Sequence, residues 1–442
     1  MHQEGSAVPL RRARERFLGL VYTLCIFCVG ISAFGLDFTK YKAAVIVFIF
    51  LAFLDACFFF DGDRLRTISG FLLEYMKYIL LIVITTLVVY SIDTADSALM
   101  ARGFTKVFYQ TLTVLGAVCA AYAFGKQAVV LTYYGLVLAN TAGIMRAFVK
   151  TGSVSQCMSD FRYFLTSGFD AVGFMKYLEL HEDTFVFGLL IIFFMVDDWK
   201  KNRWKILVSF FFFFLGYKRI GMIGLVAAIL FYVLMRKERI GVLKASGLVM
   251  MLAILVYGIS YVVIVRSGLF VRICTELGVE LMGRQNLYRY IKDYYHISPA
   301  FMGHGFGCIE YILGHAGDIK VNNTYISRMT ALHCDYLAMY IQMGMIGFLL
   351  WEICRFVDIP LSCSRYGKEC YLSALLTTLY LGITYMTDNT ALYFLVCMVQ
   401  FLIPAAFAAK GGTSEEKKDI CHNGSIADNR SGISLPCKDS QT

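Results

Sequence analysis

Proline is nearly missing, with 5 among 442 residues, which excludes a proline-rich linker or a loop-dominated chain. Charge is scarce as well. Asp, Glu, Lys and Arg make up 17%, against roughly 25% in ordinary soluble domains. The length would suit two or three such domains, but the composition does not. The 14 Cys are scattered, and Cys25, Cys28 and Cys397 lie inside apolar runs, so a secreted disulfide scaffold is excluded. No basic solvated face is visible either, which removes nucleic acid as a partner. What is present is apolar: 58% hydrophobic residues, with 37 Phe and 28 Tyr, and a mean hydropathy of +0.63. This is the composition of an all-α, polytopic membrane protein.

A hydrocarbon core about 30 Å thick needs roughly 20 apolar residues in helix. About twelve runs qualify, near 17–36, 43–60, 71–92, 107–125, 128–149, 184–198, 204–217, 220–236, 246–265, 332–356, 371–387 and 389–409. The sixth and seventh are short. Arg11, Arg12, Arg14 and Arg16 precede a first run as long as a full span, so no cleavable signal is read there. With the N-terminus in the cytoplasm, inside segments hold eighteen basic residues before the tail, Lys126, Arg236, Arg355 and Lys368 among them. Short outside loops hold six: Lys40, Lys42, Arg102, Lys106, Lys218 and Arg219. The excess predicts twelve spans with both termini in the cytoplasm.

Residues 1–409 thus read as one transmembrane domain. Two outer loops, about 150–183 and 266–331, are too long for simple turns. In the second, Leu287, Tyr290, Ile291 and Tyr294 repeat at helical spacing, which predicts an amphipathic helix on the outer membrane surface. Residues 410–442 are polar, carry balanced charge and read as a disordered cytoplasmic tail. Gly221-Met222-Ile223-Gly224 and Gly344-Met345-Ile346-Gly347 match each other, but their flanks diverge. They read as close helix contacts rather than a transporter repeat. Asp55, Glu74 and Lys77 are intramembrane charges that spans two and three would bring together as a structural pair.

Candidate chemistry lies at the outer rim. Lys218-Arg219 occupies a short outside turn, where cations snorkel, pair or bind an anion. Gly283-Arg284 opens the amphipathic stretch. There a helix N-terminus and a guanidinium fork would both attract phosphate, while a plain solvated helix start is the simpler alternative. Gly303-His304-Gly305-Phe306-Gly307 most simply means a tight turn, and it follows no predicted strand, so a nucleotide-binding reading is poor. His333 opens span ten, where the positive end of the helix dipole opposes ring protonation. A neutral imidazole there is a competent base, and a His facing headgroups is the plain alternative. Asp335 would cap the helix or orient His333. Adjacent helical positions diverge and no second cluster has ligand spacing, so a metal site at His333, Cys334 and Asp335 is disfavoured.

The order of these elements is more specific than any one of them. Lys218-Arg219 begins a span reading Gly-Met-Ile-Gly-Leu. A long outside loop carries Gly283-Arg284 and the Gly303-x-Gly305-x-Gly307 turn. The next span begins His333-x-x-x-Leu337 and continues Gly344-x-x-Gly347. Over about residues 205–357 this resembles the bacterial O-antigen polymerase and O-antigen ligase family of membrane glycosyltransferases. Lys218 stands where the family usually has serine, and Cys334 where it often has asparagine.

The resemblance implies a GT-C-like bundle acting on undecaprenyl-pyrophosphate-linked oligosaccharide in the outer half of the membrane. Arg219, Arg284 and His333 would be catalytic. Both arginines would stabilise the departing pyrophosphate, and His333 would take the proton of the acceptor hydroxyl with inversion of the anomeric centre. Lys218, Gly283, Gly303, Gly305 and Asp335 would contact substrate. No cofactor and no metal are called for, because cations replace the metal. The preferred role is a repeat-unit polymerase for O-antigen, capsule or exopolysaccharide, alongside a flippase and a chain-length regulator. The alternatives are a ligase that moves finished glycan to another acceptor and a lipid-linked oligosaccharide flippase. Cys157, Cys274 and Cys308, in the outer loops, are open to pairing or to remaining free thiols.

Overall fold

The computed structural model describes residues 4–31, 42–92, 96–151, 154–166, 183–216, 218–279, 281, 283–321, 324–329 and 331–409. The tail and residues 167–182 of the first outer loop lie outside the described residues, as does the side chain of Cys157.

Each of the twelve apolar runs forms a helix. In chain order they are α1 (Glu4–Ile31), α2 (Ala44–Phe58), α3 (Gly62–Ile92), α4 (Ser97–Phe124), α5 (Lys126–Thr151), α7 (Asp183–Asp198), α8 (Arg203–Leu215), α9 (Arg219–Met235), α10 (Ile240–Ser267), α14 (Asp335–Ile353), α16 (Lys368–Thr384) and α17 (Phe394–Ala408). Shorter helices fill the connections: α6 (Val154–Thr166), α11 (Leu269–Glu276), α12 (Arg284–Ile291), α13 (Cys308–Gly314) and α15 (Ile359–Cys363). A two-residue antiparallel pair, Lys320–Val321 with Thr324–Tyr325, is the one sheet among the described residues. Among the described residues, five helical stretches are long and apolar enough to cross a membrane: Gly62–Ile92, Ser97–Phe124, Lys126–Arg146, Ile240–Ser267 and Asp335–Tyr366. Exposed apolar stripes such as Leu73, Leu80 and Leu87 on α3, and Val249, Leu252 and Val256 on α10, are too extensive for a water-facing surface. The chain is a multi-pass membrane protein.

The core is built around α17. Its residues from Phe394 to Phe407 are all buried, as expected of a helix that is apolar on every side. It packs against α4, α16, α5 and α7. Around it, α1 pairs with α5, α7 with α8, α9 with α16, and α14 with both α10 and α3.

Three expectations are corrected. Arg355 is not in an inner loop. It sits in a π-helical turn continuing α14, 1% exposed, with its guanidinium over the Tyr78 and Phe401 rings and bonded to Tyr385 and Gln400. Delocalised charge over aromatic faces is what lets a guanidinium stay there. Asp55, Glu74 and Lys77 do not form one group either: Asp55 pairs with Arg14, and Glu74 with Lys77 and Arg365. The amphipathic loop segment is short, and its apolar face is turned inward. Leu287, Tyr288 and Ile291 of α12 are buried against the protein, and Tyr290 donates to the Ile312 carbonyl.

Candidate functional site

α14 is broken, and the break organises the end of the bundle that holds His333. Gly344 has φ 70° and ψ −178° inside the helix, a conformation open to glycine and costly for other residues. Such a break in a membrane helix leaves backbone groups to be satisfied from elsewhere. The glycine turn of the outer loop supplies the partners. His304 N–H donates to Ile341 O, Gly305 N–H to Gln342 O, and Met345 N–H to Phe301 O, at 2.9–3.0 Å. The Gln342 side chain accepts from Gly307 N–H at 2.7 Å. A Cβ at Gly303 would lie 2.5 Å from Gly344 N, and one at Gly344 would lie 2.3 Å from the Met302 carbonyl carbon. Gly303 and Gly305 therefore brace the scaffold. The tight-turn reading of this motif describes what is seen, and the backbone bonds bind protein rather than substrate.

His333 precedes the outer half of α14. Among the described residues it is the one non-glycine with positive φ, at 53°. Cys334, not Asp335, caps the helix, its sulfur accepting from Leu337 N–H. Asp335 does not orient His333. Its carboxylate is buried and accepts from Ala391 N–H at 2.7 Å and from Thr390 Oγ1, while its own N–H donates to Tyr385 O. Asn389, from the turn between α16 and α17, is hydrogen-bonded to the His333 ring. Asn389 Oδ1 accepts the His333 backbone N–H at 2.9 Å, and its Nδ2 lies 3.2 Å from His333 Nδ1. Asn389 is itself held by Asp388, whose Oδ1 accepts both Asn389 N–H and the Tyr393 hydroxyl. The sequence reading missed Asn389. The available signal was Asp388-Asn389-Thr390, three polar residues at the junction of two apolar runs.

Gly283 has φ 83° and is buried immediately before α12, so the chain can turn sharply into Arg284. The Arg284 guanidinium is electrostatically coupled to both Tyr288 and Cys334. Burial pushes the Cys334 thiol up to about 12, and the positive charge of Arg284 acts against that rise. The same holds at Tyr288, where burial raises the phenol and Arg284 opposes it. Arg284 is thus within electrostatic range of Cys334, the residue that follows His333. Beyond α12 is a cavity of about 220 Å³ whose lining includes Arg266, Gln285, Tyr288, Arg289 and Lys292.

Arg219 is the first residue of α9, exposed, after Lys218 in extended conformation. α9 runs along α16, with Gly224 against the Tyr380 carbonyl. Arg219 thereby shares the bundle end at which α16 leads into Asp388 and Asn389. No hydrogen bond or ion pair links Arg219 to Arg284 or His333 among the described residues. Neither arginine is in an ion pair there. Cys274 and Cys308 are buried free thiols. No group of three His, Cys, Asp or Glu side chains able to hold a metal ion occurs among the described residues.

Residues 204–351 match the family model described as O-antigen ligase. That segment belongs to the O-antigen ligase family. It covers about a third of the chain, from α8 to near the end of α14, and contains Lys218, Arg219, Gly283, Arg284, the glycine turn and His333. Asn389 lies beyond it. No curated protein matches the chain. At family level the chemistry is O-antigen ligase or polymerase-type transfer of a lipid-linked glycan to an acceptor.

Proposed function

We propose that the protein polymerises surface polysaccharide, moving an oligosaccharide repeat unit from undecaprenyl pyrophosphate onto a sugar hydroxyl at the outer face of the plasma membrane. The observation that carries this reading is Arg284, which has no acidic partner among the described residues and acts electrostatically on Cys334, next to the His333 that Asn389 holds. A guanidinium fork left unpaired at a membrane rim suits a phosphate ligand. As the glycosidic bond breaks, negative charge grows on the pyrophosphate, and fixed cations lower that barrier. Arg284 acts on that charge directly. Arg219, with Lys218 before it, supplies a second cation from α9. His333 is the third catalytic group. In this scheme no cofactor takes part and the cations do the work of a metal. The bundle crosses twelve times with both termini in the cytoplasm, and a flippase and a chain-length regulator serve the same substrate.

A broken helix is also what a transporter would show. Here the gap at Gly344 is filled by the glycine turn, with its backbone bonded to that turn, which favours a static scaffold. The family description favours a ligase as second reading, because polymerase and ligase share the chemistry and differ in acceptor. Purified protein given lipid-linked repeat units as sole substrate decides between them. A ladder of glycan lengths is the polymerase outcome. Transfer only after a different acceptor is added makes it a ligase, and no transfer to either removes both.

A further inference from the structure

Asn389 does more than touch His333, because it fixes which ring nitrogen holds the proton. The argument starts from the backbone. The His333 N–H can only donate, so the Asn389 atom that it meets at 2.9 Å must be the amide oxygen. The amide orientation is then settled, and the atom 3.2 Å from the ring is the NH2 nitrogen. An NH2 group has hydrogens to give and no lone pair to offer, so His333 Nδ1 must accept. A neutral imidazole that accepts at Nδ1 carries its proton on Nε2. Turning the amide over to allow the other tautomer would set NH2 against the backbone N–H and forfeit the shorter bond. The backbone at His333 resists relaxation as well, since its left-handed φ of 53° costs about 1–2 kcal/mol for a side chain bearing Cβ and is retained where the surroundings impose it. Asn389 is 3% exposed and braced from behind by Asp388 and Tyr393.

We propose that Asn389 is the positioning residue that makes His333 a hydrogen-bond donor through Nε2–H, directed at the departing pyrophosphate rather than at the acceptor hydroxyl. This rests on the glycosyl transfer proposed above and changes the part His333 plays in it. The bond between the anomeric carbon and the pyrophosphate oxygen breaks, and its electron pair leaves with the pyrophosphate. The acceptor oxygen bonds to the anomeric carbon. The acceptor's proton ends on a pyrophosphate oxygen, so glycan pyrophosphate and alcohol become glycoside and free lipid pyrophosphate. His333 finishes with the proton it began with. Its Nε2–H stabilises the same developing charge as Arg284. Among the described residues, the Arg284 cation acts on Cys334, Asp388 is occupied by Asn389 and Tyr393, and Asp335 is turned to Thr390 and Ala391, and these fit the assignment.

The test has two independent readouts on the full-length protein in lipid nanodiscs. In the first, the protein is labelled with 15N-histidine and the His333 signals are identified by their loss in His333→Gln. Nδ1 is expected as the unprotonated nitrogen of the neutral ring, and a proton found on Nδ1 overturns the proposal. This readout needs no turnover, so it holds even if the chain transfers a different glycan or none. The second readout is transfer from lipid-linked repeat units by Asn389→Asp across pH. The aspartate keeps an acceptor for the His333 N–H but replaces the donor at Nδ1 by an acceptor, which draws the ring proton to Nδ1 and favours the imidazolium. Above the imidazole titration the rate should fall on the order of 100-fold. It should recover as pH is lowered, because the imidazolium again carries Nε2–H. A base at Nε2 predicts the reverse, activity kept or raised at high pH and lost at low pH, and that result overturns the proposal. If Asn389→Asp does not fold, the labelled wild-type protein decides alone.

Discussion

The two ends of the bundle treat their cations differently. At one end some charges are matched: Lys126 Nζ lies 2.7 Å from Asp197 and 3.5 Å from Glu369, and Arg14 is 3.0 Å from Asp55, while Arg239 and Lys244 have no ion pair among the described residues. At the other end Lys106 is matched by Glu310, yet Arg219 and Arg284 have no acidic partner among the described residues. Charges kept at a membrane edge for topology gain by pairing with carboxylates. A charge kept for a substrate must leave that place open, which agrees with the role proposed for Arg284.

The contrast is broken most directly at Arg284. Arg284→Ala should lower the rate of glycan transfer on the order of 100- to 1,000-fold, the usual scale for removing one group that stabilises transition-state charge. A rate within threefold of wild type, measured with lipid-linked repeat units, would remove Arg284 from the chemistry. Next in size is Gly344→Ala. Its Cβ would lie 2.3 Å from backbone atoms of Met302 and Phe301 at a positive φ, with no flexible side chain to yield. A stability loss of at least about 2 kcal/mol is expected, read as a fall in the thermal unfolding midpoint in detergent. An unchanged midpoint would mean that the glycine turn does not seat in the break.

Arg219→Ala sharpens the comparison within the outer end. Arg219 is exposed, and no hydrogen bond or ion pair joins it to Arg284 or His333 among the described residues, so Arg219→Ala should cost about tenfold in rate, less than Arg284→Ala does. Equal losses would mean that both grip the same phosphate oxygens. The smallest effect belongs to the matched end. Lys126→Ala should change stability by less than about 1 kcal/mol, since the pair is partly solvated, and should leave the transfer rate unchanged. A large rate effect there would undo the division between the two ends.

Much of the helix content was legible because twelve apolar runs can do little else in a bilayer. The start of α12 was legible too, since Gly283-Arg284 was read as opening the amphipathic stretch and the helix begins at Arg284. Gly344 was misread as a packing contact. A glycine that lets helices approach and a glycine that breaks a helix look alike until the segment filling the break is seen. Arg355 was misplaced because sequence counts a cation without revealing the aromatic faces that receive it. The pairing of Asn389 with His333 was invisible for a different reason. Asn389 stands 56 positions from His333, and only the packing of α16 and α17 brings them together, so no local spacing could announce the pair.

The plug in α14 also sets an order in time. Residues 301–307 leave the ribosome before the helix they complete, so the outer loop must wait at the rim, its amides unmatched, until the next span arrives to receive it. A chain that stalls between the two would hold a half-made span, which gives cellular quality control a defined stage at which to recognise failed molecules.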